Sequence, residues 1–462
     1  MYYLLNPDIA LRSWQRAPYA YYRKHVRNAG RLTAEEFSLL SQCDAQHDLA
    51  DSAVLDRLLR RGFITACARG AGTLSPWQMR TCDNRYFPAM NWMITGKCNY
   101  NCLHCFNASD NRALMSEFSM EEAERLLDEA EMCGIHAITI TGGEPMCHPN
   151  FFEIAEGILR RGMYVEELNT NGYYISAEAL QRLRTLGCDP LIKISFDGIG
   201  HHDWLRNRAG AQEDALRAIR LCIEYGFRVK VQTNVHRRNI DAMPETAQML
   251  DALGVNEMRI IRTTEVPRWN RNAGDATLGL DEYYDGMLAF AETYAGEEHR
   301  MDIDIWQFLT MHPSRRTYRM RPVECGIGEY RDTLPVCRGN RGMIAVAANG
   351  NVFPCMQVSG YYEAKHDIPG NVKRDGLQTI LQEGRYLDEV CTTLGDLAAA
   401  NETCRNCRYF VHCAGGCRAI ALTLTGDKLG VDPAKCLFFQ GGYPEKIAQT
   451  LDGWTDLLPM AF

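Results

Sequence analysis

Between residues 98 and 105 the chain reads Cys98-Asn-Tyr-Asn-Cys102-Leu-His-Cys105, three thiols in a C-x3-C-x2-C spacing. A loop this tight turns three sulfurs toward one centre. It offers no fourth thiol, and the other candidate ligand inside it is His104. A four-iron cluster held by four cysteines passes electrons. Held by three, it keeps one iron open to a ligand. A catalytic zinc also takes three protein ligands, so zinc stands as the alternative. The spacing is unusual for zinc, and the chain holds further cysteine clusters. Three cysteines that merely fill a core are the bland reading.

The 462 residues have room for about three domains. Hydrophobic residues make up 46% and charged residues 23%, as in ordinary soluble proteins. A net charge of −8 argues against a nucleic-acid binder. No apolar run approaches the ~20 residues of a membrane helix. The first residues lack a basic stretch followed by an apolar core, so no signal peptide is expected. Nineteen cysteines in such a chain read as reduced thiols or metal ligands, which places it in the cytoplasm. Eight of them (Cys325, Cys337, Cys355, Cys404, Cys407, Cys413, Cys417 and Cys436) crowd the last third.

Residues 1–75 read as a separate module. Strand-type residues lead into a helix that starts at the capping box Thr33-Ala-Glu-Glu36. A second helix over 52–61 is followed by a short strand at 63–65, an order that suggests a winged helix. Residues 76–90 read as a linker. Strand patterns then recur at 90–94, 137–140, 165–169, 191–196, 229–235 and 258–262. Helical patterns lie between them at 120–133, 151–161, 177–186, 213–225 and 244–253, and another follows at 281–294. This alternation predicts an α/β fold, a partial (β/α)6 TIM-like barrel with parallel strands. Functional groups then belong at the C-terminal ends of the strands. The cysteine loop follows the first strand, and Gly142-Gly143-Glu144-Pro145 follows the second. Asn169-Thr-Asn171-Gly172 ends the third, Ser195-Phe-Asp197-Gly198 ends the fourth with Arg206 soon after, and Gln232-Thr-Asn234 ends the fifth. Taken singly, each is also an ordinary turn or cap.

Cys98, Cys102 and Cys105, followed by Gly142-Gly143-Glu144-Pro145, resemble the radical S-adenosylmethionine (SAM) superfamily. The resemblance implies that the open iron chelates SAM. One electron then releases a 5′-deoxyadenosyl radical, which removes hydrogen from an unreactive C–H. It also implies cofactor contacts at Gly142, Gly143, Glu144, Asn169, Ser195, Asp197 and Arg206. Glu144 would face the SAM ammonium, Ser195 and Asp197 the ribose, and Arg206 the carboxylate.

The last third resembles the seven-cysteine SPASM domain, with Cys404-x2-Cys407-x5-Cys413-x3-Cys417 at its centre and Cys325 as an eighth thiol. Eight thiolates suit two fully ligated four-iron clusters, which with the SAM cluster makes three. The resemblance groups Cys325, Cys337, Cys355 and Cys417 nearer the active site, and Cys404, Cys407, Cys413 and Cys436 further out. Cys325 is the variable member, with Cys391 as a spare. One zinc ribbon would leave half of these thiols unexplained. The expected boundaries are 91–310 for the barrel, 311–440 for the SPASM domain and 441–462 for a docking tail.

This layout resembles enzymes that modify ribosomally made peptides, such as sactipeptide thioether synthases. It implies a precursor peptide whose leader adds a strand to the N-terminal module. Arg12, Arg16, Arg23, Lys24, Arg27 and Arg31 would grip an acidic leader, unless they form a solvated basic face. A low-potential electron donor is implied, and neither nucleic acid nor membrane. Thioether formation is the leading expectation. Carbon–carbon cross-linking, sulfatase maturation and small-molecule radical oxidation are the alternatives. A cluster-carrying redox scaffold is the reading from another class.

Overall fold

The computed structural model describes residues 1–24, 28–106, 115–320, 332–337 and 342–459. Its centre is a run of parallel strands: β7 (Ala89–Thr95), β8 (Ala137–Gly142), β9 (Tyr164–Thr170), β10 (Leu191–Ser195), β11 (Val229–Val235) and β12 (Glu257–Arg262). They pair in that order with parallel register. Between them run α3 (Met120–Met132), α4 (Phe151–Arg160), α5 (Ala177–Thr185), α7 (Ala211–Glu224) and α8 (Met243–Leu253), with the short α6 (His202–Arg206) after β10. The labels β1–β6, α1 and α2 belong to the N-terminal module below.

The helices form where the sequence starts them. Ser119 and Glu122 close a capping box at the head of α3, and Ser176 caps α5. Buried leucines and isoleucines of the helices meet the strands in one core. The six expected strands fall within two residues of their expected bounds.

After α9 (Pro267–Asn272) and α10 (Leu280–Ala295), a seventh parallel strand, β13 (Asp302–Ile305), joins β12. Four residues with two aspartates are too short and too polar to announce a strand. The hairpin β14 (Leu309–His312) and β15 (Thr317–Met320) continues the sheet, so barrel sheet extends past residue 310. On the other edge, β16 (Met343–Val346) lies parallel to β7 and carries β17 (Val352–Phe353). The cysteine-rich region is therefore sewn into the barrel by sheet pairing. The tail also docks: the Tyr443 hydroxyl donates to Asp285 at 2.8 Å, and β18 (Thr455–Asp456) pairs with β15.

The N-terminal module has its own small core around Leu5, Ile9, Leu11, Leu40, Leu58 and Phe63. Its strands come first, as an antiparallel meander of β2 (Ile9–Trp14), β3 (Ala17–Arg23) and β4 (Asn28–Arg31). Then come α1 (Ala34–Ser41) and α2 (Ala53–Arg60), and β5 (Ile64–Cys67) pairs with β1 (Tyr2–Leu5). Most of the ribbon thus precedes the helices instead of following them. The stretch read as a linker holds β6 (Met79–Cys82), which pairs parallel to β2 and belongs to this sheet.

The module is bolted to the barrel where β8 and β9 begin, the end opposite the cysteine loop. The Tyr22 ring stacks on His136 at 4.1 Å, and its hydroxyl donates to the Gly162 carbonyl at 2.9 Å. Trp14 donates to the Cys133 carbonyl at 2.8 Å. This corrects the expectation for Arg12. It is buried and donates to the Trp77 carbonyl at 2.8 Å and the Tyr22 hydroxyl at 3.1 Å. Lys24 also turns inward, over the Trp77 ring, and Arg23 lies over Phe63. Arg27 falls outside the described residues.

Candidate metal centres and cofactor site

The loop from Gly96 to Cys105 leaves the C-terminal end of β7, as barrel logic requires. Gly142 and Gly143 press against its first residues. The Gly143 amide donates to the Thr95 carbonyl at 2.8 Å and the Glu144 amide to the Lys97 carbonyl at 2.9 Å. A Cβ on Gly142 would collide with the Thr95 carbonyl, and one on Gly143 with those of Gly96 and Lys97. The glycines thus allow backbone to meet backbone and so fix the cysteine loop.

Glu144 is fully buried. It accepts from the Asn171 amide at 2.7 Å, the Thr170 hydroxyl at 2.9 Å and the Met146 amide at 3.2 Å. Burial raises its pKa to about 7 against these bonds. Among the described residues no cation forms an ion pair with it, so a ligand ammonium fits this carboxylate. Asn171 also donates to the Asn99 side chain at 2.8 Å, and the Tyr100 amide donates to the Cys98 sulfur at 3.4 Å. The buried Oδ1 of Asn169 has no partner among the described residues, which fits a donor supplied from outside.

Asp197 and Arg206 form a two-bonded pair, Nε to Oδ2 at 2.7 Å and Nη2 to Oδ1 at 3.1 Å. His202 and the Asn234 amide complete the shell of Asp197 at 3.0 and 2.9 Å. Burial alone would raise the Asp197 pKa, but Arg206 and His202 hold it well below the usual carboxylate range. The remaining Arg206 nitrogen lies 3.9 Å from the Cys102 sulfur. Ser195 pairs with Gln232 one strand over. Asp197 and Arg206 thus first satisfy each other and brace the cysteine loop. Arg268, which sequence reasoning missed, braces it too by donating to the Cys102 carbonyl at 2.8 Å. His104 is enclosed, with an unpartnered Nδ1, and burial lowers its pKa to about 3.

Cys98, Cys102 and Cys105 stand near enough to perturb one another, and desolvation of its sulfur pushes Cys98 up to about 12. Cys98 is exposed and Cys102 and Cys105 are half-buried, so the three sulfurs stand together and within reach of an incoming cluster, which suits a three-thiolate cluster site.

In the last third, burial dominates again, and the secondary influences sort the thiols into two sets. Cys417, raised to about 12, feels Cys355 and Cys337; Cys355, raised to about 11, feels Cys337. Cys436, raised to about 11, feels Cys404 and Cys407; Cys413 feels Cys436 and Cys404. Cys325 lies outside the described residues. Asp432, also missed from sequence, spans the sets: one oxygen accepts from the Cys417 amide at 2.7 Å, the other from the Ala434 and Lys435 amides at 2.9 and 3.2 Å. Among the described residues no group of three or more His, Cys, Asp or Glu side chains is drawn in tightly enough to hold a metal ion of any kind.

A cavity of about 630 Å³ lies between the barrel strands and the last third. Asn91, Thr139, Glu167, Lys193, Gln232 and Arg259 line its barrel wall; Cys337, Cys355 and Cys417 line the other. The Glu167–Lys193 pair closes at 2.6 Å, while Arg259 stands 3.8 Å from Asp304. A filled TIM barrel packs branched apolar side chains here. This lumen is open, and it sets charged side chains among apolar ones such as Leu191, Ile261 and Trp306.

Residues 92–250 match the family model of the radical SAM superfamily, and residues 337–408 match that of SPASM, an iron–sulfur cluster-binding domain. Fe-coproporphyrin III synthase of Methanosarcina barkeri is 30% identical over 370 residues, 75% of this chain and 87% of that one. The antilisterial bacteriocin subtilosin biosynthesis protein AlbA of Bacillus subtilis is 27% identical over 380 residues, 78% of this chain and 75% of that one. Among solved structures, Streptococcus suis SuiB bound to its precursor peptide SuiA shares the fold with a TM-score of 0.66 at 13% identity, over 94% of this chain and 99% of that one. Among the described residues no helix is long and apolar enough to cross a membrane.

Proposed function

The chain belongs to the radical SAM superfamily and carries a SPASM iron–sulfur domain, and from that premise we propose that it matures a ribosomally made peptide by oxidative cross-linking, most simply through a Cys thioether. One observation carries the reading. The fold shared with SuiB, a protein solved with a precursor peptide, covers 94% of this chain and so takes in the N-terminal module. The bacteriocin biosynthesis relative points the same way.

When bound, the SAM cluster and SAM supply a 5′-deoxyadenosyl radical, which takes one hydrogen atom from a substrate C–H. The chain's residues do the rest. Cys98, Cys102 and Cys105 hold that cluster. Glu144, Asn169 and Ser195 face the cofactor, and Asp197 and Arg206 set the wall behind it. Cys337, Cys355 and Cys417, with Cys325, hold one auxiliary cluster; Cys404, Cys407, Cys413 and Cys436 hold another. Joining a thiol to a carbon removes two hydrogens. One leaves as the abstracted atom. The other leaves as a proton and an electron, and the auxiliary clusters, when bound, would supply the acceptor for that electron.

The N-terminal module acts as a winged-helix-like recognition domain. Its strand β4 lies at an edge of its sheet and offers backbone to an added leader strand. Arg31 is exposed there and is better placed to meet an acidic leader than the buried Arg12.

The porphyrin-linked relative at 30% identity favours a second reading, a tetrapyrrole substrate. The cavity wall sets the Glu167–Lys193 pair and Arg259 among apolar and aromatic side chains, a lining open to either substrate. The deciding experiment is anaerobic. The reconstituted protein is mixed with SAM, reductant and a Cys-containing peptide encoded beside its gene, and the peptide is weighed. Loss of two hydrogens per modification with formation of 5′-deoxyadenosine supports cross-linking. Deoxyadenosine with an unchanged peptide removes the peptide reading. Replacing Cys98, Cys102 and Cys105 together by Ala should abolish SAM cleavage and leave about eight irons.

A further inference from the structure

The barrel wall carries charge in pairs. Glu167 on β9 meets Lys193 on β10 at 2.6 Å, Lys230 on β11 meets Glu257 on β12 at 2.6 Å, and Arg259 on β12 faces Asp304 on β13 at 3.8 Å. Of these three pairs, the first has both members on the cavity lining. Both of its side chains are half-buried. Burial alone would raise the Glu167 pKa, but Lys193, with Lys230 and Arg259 further round the wall, holds it below the usual carboxylate range. Glu167 is therefore an ionised carboxylate in neutral solution.

Strand geometry sets the height of this pair in the barrel. Side chains two residues apart on a strand share a face and stand about 7 Å apart. Glu167 lies two residues before Asn169, and Lys193 two before Ser195. Asn169 and Lys193 are themselves partners in the ladder. The pair thus sits one layer below Asn169 and Ser195, the residues that face the cofactor in the function proposed above. Other charged groups of the lining are engaged or unsuited to take up a proton. Glu389, from the last third, accepts from the Tyr362 hydroxyl at 2.9 Å and from Lys428 at 3.0 Å. Arg259 is already protonated and accepts none.

We propose that Glu167, held by Lys193, is the proton acceptor for the substrate thiol when the thioether forms. The inference rests on the peptide cross-linking reading. In the step the thiol S–H bond breaks, and its proton passes to a Glu167 oxygen. The substrate C–H bond breaks, and its hydrogen atom passes to the 5′-deoxyadenosyl radical. The S–C bond forms, and the one electron left over passes to an oxidised iron–sulfur cluster. A carboxylate is a weaker base than a thiolate, but the new S–C bond removes the thiolate as it forms and leaves the proton on Glu167.

The test uses the reconstituted full chain with SAM, dithionite and the Cys-containing peptide encoded beside its gene. Wild type is compared with Glu167→Gln, with Glu167→Gln combined with Lys193→Met, and with Glu166→Gln, the neighbouring carboxylate of the lining. Iron counts and thermal unfolding check that each variant is loaded and folded. The double variant keeps the comparison sound where Lys193, left without its partner, disturbs the fold. At pH 7, cross-linking should fall about hundredfold in both Glu167 variants. Deoxyadenosine should fall less, so that more of it forms per cross-link. Between pH 6 and pH 8 the wild-type rate should stay level, because Glu167 is charged throughout. The Glu167 variants depend on thiolate formed in water, so their rate should climb about tenfold per pH unit toward the thiol's own ionisation at about 8.5. A lower rate with the wild-type pH profile overturns the proposal, because Glu167 then only shapes the lumen. Cross-linking at the wild-type rate in Glu167→Gln overturns it too, as does a loss found in Glu166→Gln instead. A wild type that releases deoxyadenosine and leaves the peptide unchanged overturns the peptide reading itself, a failure seen before any variant is made.

Discussion

Arg206 grips both carboxylate oxygens of Asp197, at 2.7 and 3.1 Å, and turns its third nitrogen to the Cys102 sulfur 3.9 Å away. A buried charge pair of this geometry ties the end of β10 to the cysteine loop, so its loss is felt at the metal ligands. Removing one partner strands the other charge in a medium that cannot solvate it, at about 3–5 kcal/mol. Arg206→Met should therefore lower unfolding stability by about that amount. Arg206→Met combined with Asp197→Asn should recover part of it. Urea unfolding of the cluster-free protein measures both. Strict additivity of the two single changes would show that the pair is not coupled.

Glu144 gives the cofactor-free protein a pH dependence of unusual sign. Its pKa stands near 7 in the folded chain, against about 4.3 unfolded. Between those values the folded state binds more protons than the unfolded state, so stability falls as pH rises through the window. The slope approaches about 1.4 kcal/mol per pH unit at its steepest. Unfolding at pH 5 and pH 7.5 should show the wild type losing more stability than Glu144→Gln. An equal loss in both proteins would mean that Glu144 titrates normally. SAM, by bringing an ammonium, should pull the wild-type carboxyl down and remove the difference.

Gly143→Ala tests whether the glycine pair serves the cysteine loop. The new methyl group meets the backbone carbonyls of Gly96 and Lys97, and backbone cannot rotate aside as a side chain can. A cost of about 1–3 kcal/mol is expected, with the loop displaced. Iron counted after reconstitution should drop by about four per chain while the auxiliary sites stay filled. A full complement of iron with normal stability would show that the loop yields easily.

The barrel was legible because its signals are local. The capping box of α3 and the apolar runs of β8 and β11 lie within a few residues of the structure they specify. The cysteine motifs are likewise visible in a line of sequence, while their division into two sets came from the resemblance to the SPASM domain. What escaped is what distant pairing decides. Met79–Cys82 becomes a strand because β2, far earlier, lies beside it. Arg12 looked like one of a row of surface cations, yet Tyr22 and Trp77 enclose it from 10 and 65 residues away. The supports of the candidate site, Arg268 and Asn239, were illegible for the same reason: their partners are the Cys102 and Asp197 carbonyls.

Asp432 escaped the sequence reading, although Asp before Pro is a helix-start signal, and in the structure it caps the helix Pro433–Gln440. It has a second task. One oxygen caps the helix that carries Cys436, while the other holds the Cys417 amide, so a single buried carboxylate fixes one thiol from each auxiliary set. Asp432→Ala leaves those amides without an acceptor, at a cost of about 1–3 kcal/mol. Both auxiliary sites should suffer together. Reconstituted protein should hold about four irons instead of about twelve, and SAM cleavage with dithionite should persist while peptide modification stops. Asp432→Asn, which keeps one acceptor oxygen, should restore the helix cap and part of the iron. Loss confined to one auxiliary cluster would mean that the two sets are fixed independently.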